Sequence, residues 1–161
     1  MHTADTSPRL IGRWKIEVFD GDIQCDETLI ETIEGENVIL TTGKNLLLDR
    51  LFAASGFGGP VNSMGIGNSA TAAAATDTQL LGASPAPYFQ ALDSLPTRAG
   101  LVVTCVSTFG TGVANQNWQE MALANATTNV SGTLFNRISP IGPFNKTAAV
   151  SIVLTCTVTQ S

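Results

Sequence analysis

The 161-residue sequence contains a single histidine, His2, close to the start of the chain. Ser–His–Asp and Cys–His catalysis both need a positioned imidazole as the base, so the sequence argues against those enzyme classes. The same scarcity argues against histidine-rich zinc and iron sites. The three cysteines (Cys25, Cys105 and Cys156) are far apart, odd in number and without metal-ligand spacing, which predicts free thiols.

Charge is also scarce. Charged residues make up 13% of the chain, against about 25% in typical domains. The formal net charge is -5 and the sequence pI is about 4.6, whereas a nucleic-acid backbone binder needs clustered Lys and Arg. No apolar run reaches the roughly 18 residues of a membrane span, and the first residues lack the pattern of a secretory signal. We therefore expect neither nucleic acid nor membrane as a partner.

The charges that are present are unevenly placed. Residues 1–50 hold ten of the thirteen acids and five of the eight bases. Residues 51–161 carry only six charges: Asp77, Asp93, Arg98, Glu120, Arg137 and Lys146. Thr, Ser and Asn supply the polar groups there, and they hydrogen-bond without the desolvation penalty of an ion. Such a surface is suited to lie against other protein.

Most of the chain reads as β-structure. Alternating or β-branched runs predict strands at residues 13–18, 37–41, 101–109, 118–126, 133–138 and 148–159. Because no βα alternation accompanies them, we expect a mainly β protein, an antiparallel β-sandwich or jelly-roll-like fold. Residues 13–161 are predicted to form this single domain, and residues 1–12 an extended N-terminal arm.

One short helix is predicted, at about residues 43–55. Thr41 or Thr42 supplies a cap, and the glycine at position 56 supplies a stop. Four apolar residues share one side of this helix: Leu47, Leu48, Leu51 and Phe52. We expect that side to pack against the sheet, so that Leu51→Ala destabilises the fold.

The glycine-rich run at residues 65–70 has the letters of a dinucleotide fingerprint. That fingerprint needs a buried strand before it, a helix after it and an acid about 20 residues later. The preceding residues make a poor core strand, and Asp93 lies in a proline-rich segment. We interpret Gly65 and Gly67 as glycines of a strand-to-loop bend, and we expect no cofactor.

Acidic residues offer two further candidates. In the acidic segment at residues 20–36, Asp20, Asp22, Gln24, Asp26 and Glu31 have calcium-loop-like spacing, but Cys25 stands where the central glycine belongs, which favours a solvated acidic face over a metal site. A glycosidase pair would need acids from this segment, or Glu120 with Asp77 or Asp93. Nothing in the sequence brings any two together, so no catalytic or metal residue is predicted and the chain is expected not to be an enzyme.

Three residues in the sparsely charged region are candidates for a protein interface: Trp118, Phe135 and Arg137. Trp and Arg are enriched at interface hot spots. The alternative is internal: Trp118 fills the core and Arg137 pairs with Glu120 across strands.

Residues 60–161 resemble small β-rich structural proteins from the virions of tailed bacteriophages. The likeness is carried by Gly65-Ile66-Gly67, Thr76-Asp77-Thr78-Gln79-Leu80, the stretch from Thr108-Phe109-Gly110 through Asn117-Trp118-Gln119-Glu120 to Ala126, Gly132-Thr133-Leu134-Phe135-Asn136-Arg137-Ile138, and Asn145-Lys146-Thr147 before a Thr-rich end. It implies no catalytic or cofactor residues.

The resemblance implies a capsid cement (decoration) protein. Its expected partners are the major capsid protein and further copies of itself as a homo-oligomer, in the virion capsid after assembly in the host cytoplasm. One alternative is a tail fibre, adaptor or baseplate component. Another, of a different class, is a carbohydrate-binding β-sandwich module using Trp118 and nearby acids.

Overall fold

A computed structural model describes residues 9–22, 28–52, 59–83, 86–125, 133–142 and 144–161. Within these ranges the chain forms one helix, α1 (Thr41–Phe52), and eleven strands. The strands are β1 (Leu10–Asp20), β2 (Leu29–Ile39), β3 (Ser63–Gly67), β4 (Tyr88–Ala91), β5 (Thr97–Ala99), β6 (Val102–Phe109), β7 (Asn117–Trp118), β8 (Glu120–Ala124), β9 (Leu134–Ile138), β10 (Phe144–Asn145) and β11 (Val150–Gln160).

Nine of these strands form one antiparallel sheet in the order β4-β3-β8-β9-β2-β1-β11-β6-β5, and β7 pairs with β10. Strand β2 joins the two halves of the sheet. It pairs with β1 along most of its length, but with β9 only at Val38 and Ile39. The sheet is strongly curled, which confirms the prediction of a mainly β, antiparallel, sandwich-like fold with one helix.

The curl brings the two ends of the sheet together. Just after β4, the Asp93 amide donates to the Val106 carbonyl of β6 at 2.9 Å. The Asp93 carboxylate accepts bonds from the amide and hydroxyl of Thr108 at 2.9 and 2.7 Å. Hydrogen bonds therefore close the space between the two halves and enclose the core.

The core lies between the two halves. The predicted alternation in the last strand is confirmed, because Ile152, Leu154, Cys156 and Val158 of β11 all point inward and are buried. Strand β1 alternates in the same way. It begins at Leu10, so residues 10–12, placed in the extended arm by the sequence, belong to the sheet. Residues 1–8 lie outside the described residues.

The helix was predicted at about the right place, but its packing was predicted wrongly. Only Gly43 and Leu46 of α1 are buried, whereas Leu51 and Phe52 are 72% and 73% exposed. The helix packs on β9 at Gly43. The backbone is so close there that a Cβ atom at this position would collide with the Phe135 carbonyl. Beyond Gly43 the helix buries only Leu46, which packs into the core. Leu47, Leu48, Leu51 and Phe52 are exposed to solvent, and we call these four residues the α1 face.

Candidate functional site

Arg137 of β9 is the centre of a buried charged group that also contains Glu120 and Asp77, here called the Arg137 cluster. Its guanidinium lies 2.8 Å from Glu120 Oε2 through Nη2 and 2.7 Å from Asp77 Oδ2 through Nη1, and Nε donates to Glu120 Oε2 at 2.9 Å. Nη2 also donates to the Thr71 carbonyl and Nη1 to the Ala72 carbonyl. All five N–H groups of the guanidinium are therefore engaged.

The two carboxylates of the cluster bind backbone as well. Glu120 accepts hydrogen bonds from the amides of Leu81 and Gly82 at 3.0 and 2.6 Å, and Asp77 accepts one from the Ala74 amide at 2.9 Å. Three backbone amides and the Arg137 guanidinium together stabilise the negative charges of Glu120 and Asp77. The cluster fastens the segment 71–82, which has no regular secondary structure, onto the sheet.

The cluster bears on two interpretations of the sequence, a cross-strand pair of Arg137 with Glu120 and a glycosidase pair of Glu120 with Asp77. The cross-strand pair of Arg137 with Glu120 is confirmed. Asp77 and Glu120 do come together, which the sequence did not indicate, but Glu120 and Arg137 have no exposed side-chain surface. Glu120 is thus enclosed by protein, and the hydrogen bonds of the pair hold the segment 71–82 against the sheet.

Trp118 and Phe135 are interior as well. The Trp118 indole N–H donates to the Ala114 carbonyl at 2.9 Å, and its ring packs edge-on against Phe109 with ring centroids 4.8 Å apart. Phe135 belongs to the same core cluster. The three residues predicted as an interface are therefore all buried within the chain, and Trp118 offers no surface for a sugar.

Lys146 is a second buried charge, and sequence reasoning missed it. Its ammonium donates to the Gly110 carbonyl and to Asn115 Oδ1 at 2.9 and 2.8 Å, and its side chain is almost fully buried. Burial lowers the pKa of Lys146 below its usual value of 10.5. The ammonium holds the 110–116 loop in place. The only signal in the sequence was the rarity of charge after Leu51.

Five of the six charges after Leu51 thus make hydrogen bonds or ion pairs within the chain. Arg98 is the exception: it is exposed and has no ion-pair partner among the described residues. The surface of this region is therefore even poorer in free charge than its composition suggests.

Cys105 and Cys156 lie directly opposite each other on β6 and β11, as buried free thiols. The Cys156 sulfur accepts bonds from the side-chain amides of Asn136 and Asn37 at 3.3 and 3.6 Å. Burial raises the pKa of Cys105 to about 12 and that of Cys156 to about 11. The prediction of free thiols is confirmed for these two; Cys25 lies outside the described residues.

The remaining candidates can be placed. Gly65 lies in the middle of the fully buried strand β3, so its interpretation as part of a strand-to-loop bend is wrong, whereas Gly67 ends that strand. Added Cβ atoms at these positions would collide with Phe89 and with Glu120, and the described residues 59–83 contain no helix. In the acidic segment, Asp22 accepts a bond from Thr111, and residues 23–27 are outside the described ranges. No group of three or more potential metal-ligating His, Cys, Asp or Glu side chains occurs among the described residues.

Comparisons with known proteins add no family: no protein-family model, curated protein or solved structure matches the chain. In the part of the chain that the structure describes, no helix is both long and apolar enough to cross a membrane.

Proposed function

We propose that this chain is a non-enzymatic structural protein that works by binding neighbouring protein, and specifically a capsid cement protein of a tailed bacteriophage. The observation that carries the proposal is the α1 face. Large apolar side chains grouped on one exposed helix are the usual mark of a protein–protein contact. Contact with a partner protein would remove these apolar side chains from water.

The distribution of charge supports the same proposal. The charged groups of the Arg137 cluster and of Lys146 make hydrogen bonds within the chain, where they fasten loops. A surface poor in free charge can be buried against another protein with little desolvation cost. The tailed-phage assignment is supported by the sequence resemblance of residues 60–161, and the major capsid protein is the partner that it implies.

Particle stability tests the cement role. Particles lacking the chain are expected to lose resistance to heat or osmotic shock, and added wild-type chain should restore it. A Leu51→Ser/Phe52→Ser variant should fold, because both side chains are exposed, but should neither bind nor protect the particle. Leu95→Ser is the matched control, since Leu95 is 86% exposed on the segment between β4 and β5.

Two outcomes would contradict parts of this proposal. Unchanged resistance of particles that lack the chain would remove the cement role. Counting copies per particle separates head from tail, because hundreds of copies imply the shell and about a dozen imply a tail fibre, adaptor or baseplate component.

A further inference from the structure

We propose that copies of this chain associate head to tail, with an exposed corner of β2 in one copy seated in an apolar hollow beside α1 of the next copy. The inference rests on the proposed function, because it identifies a second copy as the protein that covers this side of α1.

The hollow has a volume of about 290 Å³ and lies beside Leu47 of the α1 face. Its walls include Val61, Leu101 and Phe135, which makes them mainly apolar. Arg98 also lines it, and this guanidinium is exposed without an ion-pair partner among the described residues. The hollow therefore suits an apolar side chain accompanied by a carboxylate.

The β2 corner, which consists of Leu29, Ile30 and Glu31, has that combination. Val18 of β1 pairs with Glu31 and Phe19 pairs with Leu29, so Ile30 is the extra residue of a β-bulge. Ile30 is 60% exposed and Leu29 is 40% exposed. Glu31 is exposed and forms no salt bridge among the described residues. Two exposed apolar side chains are thus followed directly by an exposed carboxylate.

The hollow and the corner cannot meet within one molecule. Leu10, at the start of β1, lines the hollow, whereas Phe19, near the other end of β1, pairs with the corner. Strand β1 is 11 residues long, which at about 3.3 Å per residue separates its ends by roughly 33 Å. A contact between the two surfaces must therefore join different copies.

Charge favours head-to-tail over symmetric pairing. A symmetric contact of hollow with hollow would bury two Arg98 guanidiniums in an interface without an acid, and a contact of corner with corner would bury two Glu31 carboxylates without a base. The head-to-tail contact instead joins Arg98 to Glu31, and opposite charges fix the register of an interface. Such a heterologous contact builds a ring if its rotation closes, and a filament otherwise.

Sedimentation velocity on the full chain tests the inference. The wild-type chain should associate with rising concentration, and Arg98→Glu and Glu31→Arg should each weaken association at least tenfold. An equimolar mixture of the two variants should associate again, because every hollow then meets a corner of opposite charge. Arg13→Glu is the matched control, a charge reversal on the outer face of β1 that should leave association unchanged.

Three results would overturn the inference. The first is a wild-type chain that stays monomeric at every concentration, which would leave docking of the α1 face on capsid protein intact. The second is an unchanged association of Glu31→Arg, which would point to a symmetric contact between helices. The third is a mixture of the two variants that remains monomeric. Unchanged thermal melts establish that the variants are folded.

Discussion

The first fifty residues and the rest of the chain use charge in opposite ways. In the charge-rich front, β1 and β2 display charged side chains on their outer face, where Arg13 and Glu36 form a 3.5 Å pair with both side chains 69% exposed. The charge-poor remainder places Arg137, Glu120 and Lys146 inside the molecule. Exposed pairs contribute little to stability, whereas breaking a buried pair is strongly destabilising. We therefore expect the stability of the charge-poor region to depend more on its few charged residues than the stability of the charge-rich front does.

The largest effect is expected from Arg137→Met. This variant leaves Glu120 buried without its guanidinium, and it frees the segment 71–82 from the sheet. The free energy of unfolding should fall by about 3–5 kcal/mol. Chemical denaturation measures it, with Arg13→Met as the control that should lose less than about 1 kcal/mol. Equal losses in the two variants would contradict the comparison.

Alkaline pH should weaken the fold through its two buried thiols. The pKa of Cys105 rises from 9.0 to about 12, and that of Cys156 from 9.0 to about 11. Since the unfolded chain loses these protons first, the stabilisation is complete below pH 9. It then declines by up to about 1.4 kcal/mol per pH unit for each thiol until the pH reaches the folded pKa.

Urea unfolding at several pH values between 8 and 11 checks this prediction. The Cys105→Ala/Cys156→Ala variant should show a flatter decline than the wild type. Because the pKa of Lys146 is lowered on folding, its contribution to the free energy of unfolding rises with pH up to about 10.5. Lys146 is present in both chains, so it does not affect their comparison. Parallel pH profiles would show that the thiols do not differ in protonation between the folded and unfolded states.

A smaller loss is expected from Lys146→Met. The variant leaves the Gly110 carbonyl and Asn115 Oδ1 without their donor, which should cost about 1–3 kcal/mol. Hydrogen exchange in the 110–116 loop should become faster while exchange in β1 stays the same. Lys15, which is partly exposed and pairs with Glu17 on its own strand, supplies the matched Lys15→Met control. If both variants behaved alike, burial of Lys146 would have no energetic role.

The smallest effect is expected from Leu51→Ala. Packing against the sheet would have made this change costly, but Leu51 is largely exposed, and such surface changes lie within about 0.5 kcal/mol. Leu46→Ala, at the buried position five residues earlier, should cost several times more. A large loss at Leu51 would mean that the α1 face is covered within the isolated chain.

Periodic features of the sequence predicted the fold well. Alternation located β1 and β11, β-branched residues located β6, and the run of leucines located α1. Most of β2 was missed, because the strand predicted at residues 37–41 covers only the end of Leu29–Ile39. The short strands β4 and β5 were missed as well, because Pro87 and Pro96 precede them and neither strand exceeds four residues. The side of α1 that packs on the sheet was missed for another reason. The helix packs through Gly43, which allows close approach to Phe135, and not through the longer row of apolar residues. The sequence pattern does not show which of these two sides is buried.

The charged sites were predicted only where strands are neighbours. Glu120 and Arg137 lie on the paired strands β8 and β9, so their pairing could be anticipated. Asp77 comes from a loop without periodicity, and Lys146 stands in a polar stretch that is typical of exposed chain. Long-range contacts of that kind depend on how the whole sheet curls, which local patterns do not specify.

The central claim is that neighbouring protein covers the α1 face in the working assembly. The most direct measurement is maleimide labelling of a Leu51→Cys variant, made in a Cys25→Ser background so that the other thiols are the buried Cys105 and Cys156. The account predicts rapid labelling of the free chain and strong protection of the same thiol in the assembled particle. Equally rapid labelling in both states would contradict it.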